Sequence, residues 1–112
     1  MTQITNNKQY NLEDRTFEFA QKVRSFVKSL PYSISNNEDS KQLVRSSGSI
    51  GANYIEANES LSKKDFIMRV KISKKETKES RFWLRLLGAK DDLINECVEL
   101  MKIFGAIIEK SK

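Results

Sequence analysis

The residues whose types and spacing suggest chemistry are cations in the second half of the chain. Residues 62–90 contain ten basic residues and three acidic ones, whereas the rest of the chain contains ten basic and twelve acidic ones. The formal net charge of +5 therefore comes from this segment alone. On a helix its central cations would form one stripe about 20 Å long. The stripe has spacings of three and four residues and comprises Lys71, Lys74, Lys78, Arg81 and Arg85, widened by Lys63, Lys64, Arg69 and Lys75.

Like charges at these spacings destabilise an isolated helix. A helix that keeps these charges despite their repulsion is typical of a protein with a polyanionic partner. We therefore predict binding to the phosphate backbone of RNA or DNA. The alternative is a solvated helix face that local pairs, such as Lys75 with Glu79, partly neutralise.

Three carboxylates near the stripe, Glu56, Glu76 and Glu79, could be metal ligands. Because the chain contains no histidine, such a site would lack the commonest transition-metal partner. Salt bridges to Arg45, to Arg81 or to a neighbouring subunit explain Glu76 and Glu79 better. We therefore predict no metal and no other cofactor.

The same lack of histidine excludes the Ser-His-Asp and Cys-His types of active site. The serines at 46, 47 and 49 have no base to activate them, and Cys97 lies in an apolar stripe, as a small core residue does. No glycine-rich phosphate loop is present. We therefore do not expect an enzyme.

Compartment is suggested by features that the chain lacks. No run of about 18 apolar residues is present, so no membrane span or membrane partner is expected. The first eleven residues are polar and do not resemble a signal peptide. A single cysteine cannot form an internal disulfide, and a cytoplasmic location is therefore expected.

The elements that position these residues are helices. With 112 residues, one proline and four glycines, the chain predicts one all-α domain, an antiparallel up-down four-helix bundle. The helices are expected at about 12–30, 38–60, 63–87 and 90–110, with a loop at 32–37. The expected boundary residues are Asn11, Asn36 or Asn37 and Ser62 as N-caps, Pro31 as the stop of the first helix, and Gly88 after the third.

Hydrophobic periodicity predicts which faces are buried. The third helix has a small, polar seam at Ser73, Thr77 and Ser80. The fourth has the clearest apolar stripe, which comprises Leu93, Ile94, Cys97, Leu100, Met101, Phe104, Ile107 and Ile108.

Two features suggest a homo-oligomer. Gly48 and Gly51 lie one turn apart in a helix, where each costs about 1 kcal/mol relative to alanine, so a close neighbour is expected there. A tight crossing inside one bundle is the commoner explanation, and a subunit contact is the other.

Phe82 and Trp83 point in different directions, so both cannot enter one core. At least one is expected in a subunit interface or as a stacking platform for a base.

The segment 45–57 resembles the signature of the bacterial "four helix bundle proteins", also called 23S rRNA intervening-sequence proteins. The matching positions are Arg45, Ser49, Ile50, Asn53 and Glu56. Residues 71–87, which contain Glu76 and Glu79, are similar to the family's third helix. The chain departs from the commonest signature at Gly51 and Ala57, where proline and glycine are frequent.

The resemblance implies a left-handed antiparallel four-helix bundle that assembles into a barrel-like homopentamer with a positive surface. Some members of the family are encoded within intervening sequences of ribosomal RNA genes. A related branch, the accessory variability proteins of diversity-generating retroelements, binds nucleic acid and a reverse transcriptase. Two functions thus remain open: an oligomeric nucleic-acid-binding scaffold, and an accessory subunit that binds a protein partner such as a reverse transcriptase.

Overall fold

The computed structural model describes residues 11–112, which form four α-helices. These are α1 (Leu12–Lys28), α2 (Ile34–Asn58), α3 (Lys63–Leu86) and α4 (Asp91–Ser111). Each helix packs on its neighbours in the chain, and α1 also contacts α4, which closes the ring of helices. The predicted four-helix bundle is confirmed. None of the helices within residues 11–112 combines the length and apolar character needed to span a bilayer.

The core of the bundle is mostly apolar, but the contact between α2 and α3 also buries polar side chains. Every helix contributes apolar side chains that are at most 1% exposed: Phe19, Val23, Leu43, Ile50, Val70, Leu84, Cys97, Leu100 and Phe104. The expected small seam of α3 is buried too, since Ser73, Thr77 and Ser80 are fully inaccessible. The hydroxyl of Ser73 donates to the carbonyl of Ile50 at 2.9 Å. Short hydroxyl side chains thus satisfy their own polarity while α2 and α3 approach closely.

Most helix boundaries follow local capping chemistry. The side chains of Asn11 and Ser62 accept hydrogen bonds from Asp14 and Asp65, as expected of N-caps. After α3, Gly88 has a φ of +74°. The amide of Ala89 then bonds the carbonyl of Leu84 at 3.0 Å, which completes a Schellman motif.

The predicted boundaries around Pro31 are wrong. The first helix ends at Lys28 rather than at residue 30, because a proline disfavours helical geometry in the residue before it. The second helix begins at Ile34, not at residue 38. Its N-cap is Ser33, whose hydroxyl accepts the Asn36 amide at 3.0 Å, so residues 34–37 are helical rather than loop.

Candidate nucleic-acid interface

The outer face of α3 is the basic surface of the bundle. The small, buried residues of this helix turn it so that its long cationic side chains point away from the core. The exposed cations of α3, here called the basic face, are Lys63, Lys64, Lys71, Lys74, Lys75, Lys78 and Arg85. Apart from Arg69, which bonds Asn53, the basic face carries all but one of the cations of the predicted stripe.

The exception is Arg81, which is only partly exposed and lies on the side of α3 toward α4. Its Nε atom is buried and has no hydrogen-bond acceptor among residues 11–112. Its positive charge lies near the thiol of Cys97. Arg81 therefore lies apart from the basic face, and its contact with phosphate stays a prediction. Lys74 also leans toward α4, with its Nζ 3.6 Å from where a Cβ on Gly105 would lie, but it remains exposed.

Two of the three acidic residues of α3, Glu76 and Glu79, point the other way, toward α2. Arg45 of α2 bonds Glu76 at 3.3 Å and also pairs with Glu79. Glu79 in addition accepts the indole N–H of Trp83 at 3.1 Å. This confirms the predicted ion pairs of both glutamates with Arg45.

The electrostatics keep Glu79 ionised. Burial by itself would raise the pKa of Glu79, but hydrogen bonds from Trp83 and Arg45 outweigh it and hold the pKa below the ordinary value of 4.5. The bond to Glu79 likewise raises the pKa of Arg45. Lys75, the local partner suggested for Glu79, adds a weaker Coulombic attraction that also lowers the pKa of Glu79.

The cations of the basic face have few partners. Within residues 11–112, the ion pairs are made by Arg15, Lys41, Arg45, Lys102 and Lys112, and none uses a lysine or arginine of α3. The two carboxylates in the middle of α3, those of Glu76 and Glu79, bind Arg45 instead. The positive charge of the basic face is therefore left facing solvent.

The family-signature residues on α2 form a polar seam with α3. Asn53 donates to the carbonyl of Ser49 at 2.9 Å and accepts from Arg69 at 3.0 Å. Ile50 is fully buried, whereas Glu56 is exposed. Of the signature side chains, Arg45 and Asn53 thus bond α3 on its acidic side. Sequence reasoning found the signature but missed the Asn53–Arg69 bond, because the register between two helices leaves no local signal.

The other candidate chemistry is accounted for by packing. No group of three potential metal ligands occurs among the described residues. The hydroxyls of Ser46 and Ser80 bond each other at 2.7 Å inside the bundle. Burial raises the pKa of the Cys97 thiol to about 12, which is typical of an inert core cysteine.

The glycines of α2 face α1 in the same chain. A Cβ at Gly51 would lie 2.9 Å from the Thr16 hydroxyl oxygen, so the close neighbour expected from the sequence is a helix of the same bundle. At Gly48 the nearest atom belongs to the flexible end of Arg24, at 3.2 Å. Both glycines also line a surface groove of about 460 Å³ between α1 and α2. Phe17 and Ile55 lie on this groove and are 63% and 48% exposed.

Phe82 and Trp83 do point in different directions, as predicted. Trp83 is partly buried against the core, and Phe82 is 52% exposed. Their rings lie 5.0 Å apart between centroids and nearly perpendicular, at 77°. Phe82 is thus an aromatic side chain on the basic face, held against a neighbour that hydrogen bonds fix in place.

Comparison with known proteins agrees with the signature. A family model described as 23S rRNA-intervening sequence protein matches residues 8–106. Among solved structures, the chain is similar to a protein of unknown function from the S23 ribosomal protein family of Bacteroides thetaiotaomicron VPI-5482. The two share 31% identity over 88% of this chain and 98% of that one, with a TM-score of 0.77. No curated protein matches the chain significantly.

Proposed function

Because the chain belongs to the 23S rRNA-intervening sequence protein family, we propose that it is a non-enzymatic, oligomeric protein that binds nucleic acid through α3. The observation that carries the proposal is the segregation of charge on α3. Its glutamates bind Arg45 on the α2 side, and its lysines remain exposed and unpaired among the described residues.

Such a surface suits a phosphate backbone better than a small anion. The basic face spans most of α3, with about 1.5 Å of rise for each residue, and so can meet several successive phosphates. Binding of this kind releases condensed counterions and is largely independent of sequence. Sequence specificity, where needed, would come from a partner or from the shape of the nucleic acid.

We also propose that the protein acts as a homo-oligomer, and the family resemblance suggests a pentamer. The groove between α1 and α2 supports a subunit contact, because Phe17 and Ile55 expose apolar surface beside it. Covering apolar side chains is the main driving force of association. A contact at this groove would leave the basic face free for nucleic acid.

The test of binding is a triple variant, Lys71→Gln, Lys74→Gln and Lys78→Gln. Glutamine keeps helix propensity and most of the side-chain length, so the bundle should remain folded. We expect weaker binding to unrelated RNA and DNA sequences alike. Each lost phosphate contact should flatten the slope of log affinity against log salt by about 0.7–0.9.

A matched control changes three exposed lysines on other helices, Lys22, Lys28 and Lys110, to Gln. It loses the same net charge but leaves the basic face intact, so its affinity and salt slope should stay close to those of the parent protein. Equal losses in both triple variants would contradict a local binding face. If the parent protein binds no nucleic acid at low salt but copurifies with one defined protein, the function as an accessory subunit replaces nucleic-acid binding as the proposal.

The oligomer is tested by sedimentation velocity on Ile55→Ser, with Ile34→Ser as the control. Both isoleucines are exposed, but Ile34 lies at the start of α2, outside the groove. We expect Ile55→Ser to shift the protein toward smaller species and Ile34→Ser to leave the distribution unchanged. A parent protein that is monomeric at micromolar concentration would refute the oligomer.

A further inference from the structure

We infer that Phe82 is a stacking platform for an unpaired base, so that α3 binds single-stranded nucleic acid in preference to a duplex. The inference rests on the proposed function and names its substrate class. The observation behind it is an aromatic ring that is half exposed near the C-terminal end of the basic face, between Lys78 and Arg85. Bases have an apolar face and carry a phosphate on either side, which matches this arrangement.

Helical spacing places the cations around the ring. Lys78 precedes Phe82 by four residues and Arg85 follows it by three, so both are its neighbours on the helix surface. Lys75 lies a further turn away on the same side. Of the two other neighbours, Glu79 is drawn toward α2 by Arg45, and Leu86, four residues after Phe82, is an exposed apolar side chain beside the ring. A base on Phe82 would therefore have cations within reach of its flanking phosphates.

The ring is also supported from behind. Trp83 packs nearly perpendicular to Phe82, and its indole N–H is bound to Glu79 at 3.1 Å. Glu79 is in turn held by Arg45. A platform fixed by such a chain loses little freedom when a base stacks on it, and preorganisation of this kind favours binding.

The chemistry around Phe82 favours a nucleic acid over a second copy of this chain. Burying the ring in a subunit contact would also desolvate Lys78 and Arg85, and the two carboxylates nearest to them on α3, those of Glu76 and Glu79, are already bound to Arg45. A single strand supplies both the stacking surface and the negative charge. A duplex supplies the charge alone, because its bases are already stacked.

The experiment compares three probes that have the same number of phosphates: an oligo(A) RNA, an abasic oligonucleotide and a duplex. If one base stacks on Phe82, the parent protein should bind oligo(A) about 5- to 140-fold more tightly than the abasic strand. Phe82→Leu keeps the apolar bulk against Trp83 but has no aromatic face, and it should lose this preference. Phe82→Tyr should retain it, and duplex affinity should change in neither variant.

Trp83 provides a direct reporter, because it is the only tryptophan of the chain and touches Phe82. Its fluorescence should change saturably with oligo(A) and little with the abasic strand. Equal affinity of the parent protein for the two strands would overturn the stacking role while leaving phosphate binding intact. A Phe82→Leu variant that changes the oligomer and keeps the oligo(A) preference would place Phe82 in a subunit contact instead. Absence of binding to every probe at low salt would overturn the proposed function and the platform together.

Discussion

The two glycines of α2 predict stability changes of opposite sign on substitution by alanine. At Gly48 the new methyl group meets only the guanidinium end of Arg24, at 3.2 Å, and that flexible side chain can move aside. At Gly51 it meets the hydroxyl oxygen of Thr16 at 2.9 Å and its Cβ at 3.3 Å. Thr16 is 1% exposed, and its hydroxyl bonds the carbonyls of Leu12 and Glu13, so it has nowhere to move.

The magnitudes follow from two opposing terms. Replacing a helical glycine by alanine stabilises the helix by about 1 kcal/mol, whereas overpacking a tight contact costs about 1–3 kcal/mol. Gly48→Ala should therefore raise the free energy of unfolding by about 0.5–1 kcal/mol, since only a weak bond from Arg24 to Val44 at 3.4 Å is disturbed. Gly51→Ala should lower it by up to about 2 kcal/mol.

The assay is urea unfolding followed by circular dichroism, at two protein concentrations because both glycines line the groove proposed for self-association. A Thr16→Ala background supplies the control, since it removes the oxygen nearest to the new methyl group. In that background Gly51→Ala should cost about 1 kcal/mol less than in the parent protein. Equal stability of the two glycine variants would refute the close α1–α2 contact as the reason for Gly51.

Three further predictions concern the core and the polar seam. Leu100→Ala and Phe104→Ala should each lower the free energy of unfolding by about 2–5 kcal/mol in urea melts, since both side chains are fully buried, and a cost below about 1 kcal/mol would contradict this core. Because the folded-state pKa of Glu79 lies below 4.5, its ionised form stabilises the protein above that pH, and the contribution is lost as the pH falls through the lowered pKa. Glu79→Gln should therefore be less stable than the parent at neutral pH, and the gap in melting temperature should narrow in acid; a gap independent of pH would exclude this linkage. Cys97 should resist iodoacetamide at pH 8 in the folded protein and react once urea unfolds it, as followed by mass spectrometry, whereas rapid labelling of the native chain would show that the thiol is accessible.

Periodicity alone was sufficient where one physical pattern dominated. The apolar stripe of α4 predicted a buried face. Five of its eight residues are buried and three are partly buried, namely Leu93, Cys97, Leu100, Phe104 and Ile108 in the first group and Ile94, Met101 and Ile107 in the second. The start of α2 was missed because Ser33, Asn36 and Asn37 are all good N-cap residues, so local chemistry does not choose between them. Only the path of the chain after Pro31 makes Ser33 the cap.

The basic stripe was predicted as one row, but it is two. Successive residues of an α-helix are rotated by about 100°, so a step of three residues turns back by about 60° and a step of four turns forward by about 40°. Lys71, Lys78 and Arg85 therefore form an outward row, while Lys74 and Arg81 form a second row turned toward α4. This offset explains why Arg81 is partly buried and Lys74 leans over Gly105. The angle between the two rows can be predicted from helix geometry. The direction in which each row points cannot, because it depends on which helix packs beside α3.

None of the signature residues of α2 has catalytic chemistry, but they help to fix how α3 is oriented in the bundle. Arg45 holds Glu76 and Glu79, and Asn53 holds Arg69, so α2 binds α3 along its acidic side. Successive residues of a helix point about 100° apart. Turning α3 by a single position would therefore break these bonds and bring lysines toward the core. The polar seam fixes the rotation of α3 and thus determines which charges the protein presents to a partner. A signature made of structural residues can therefore mark a family whose proposed activity is binding.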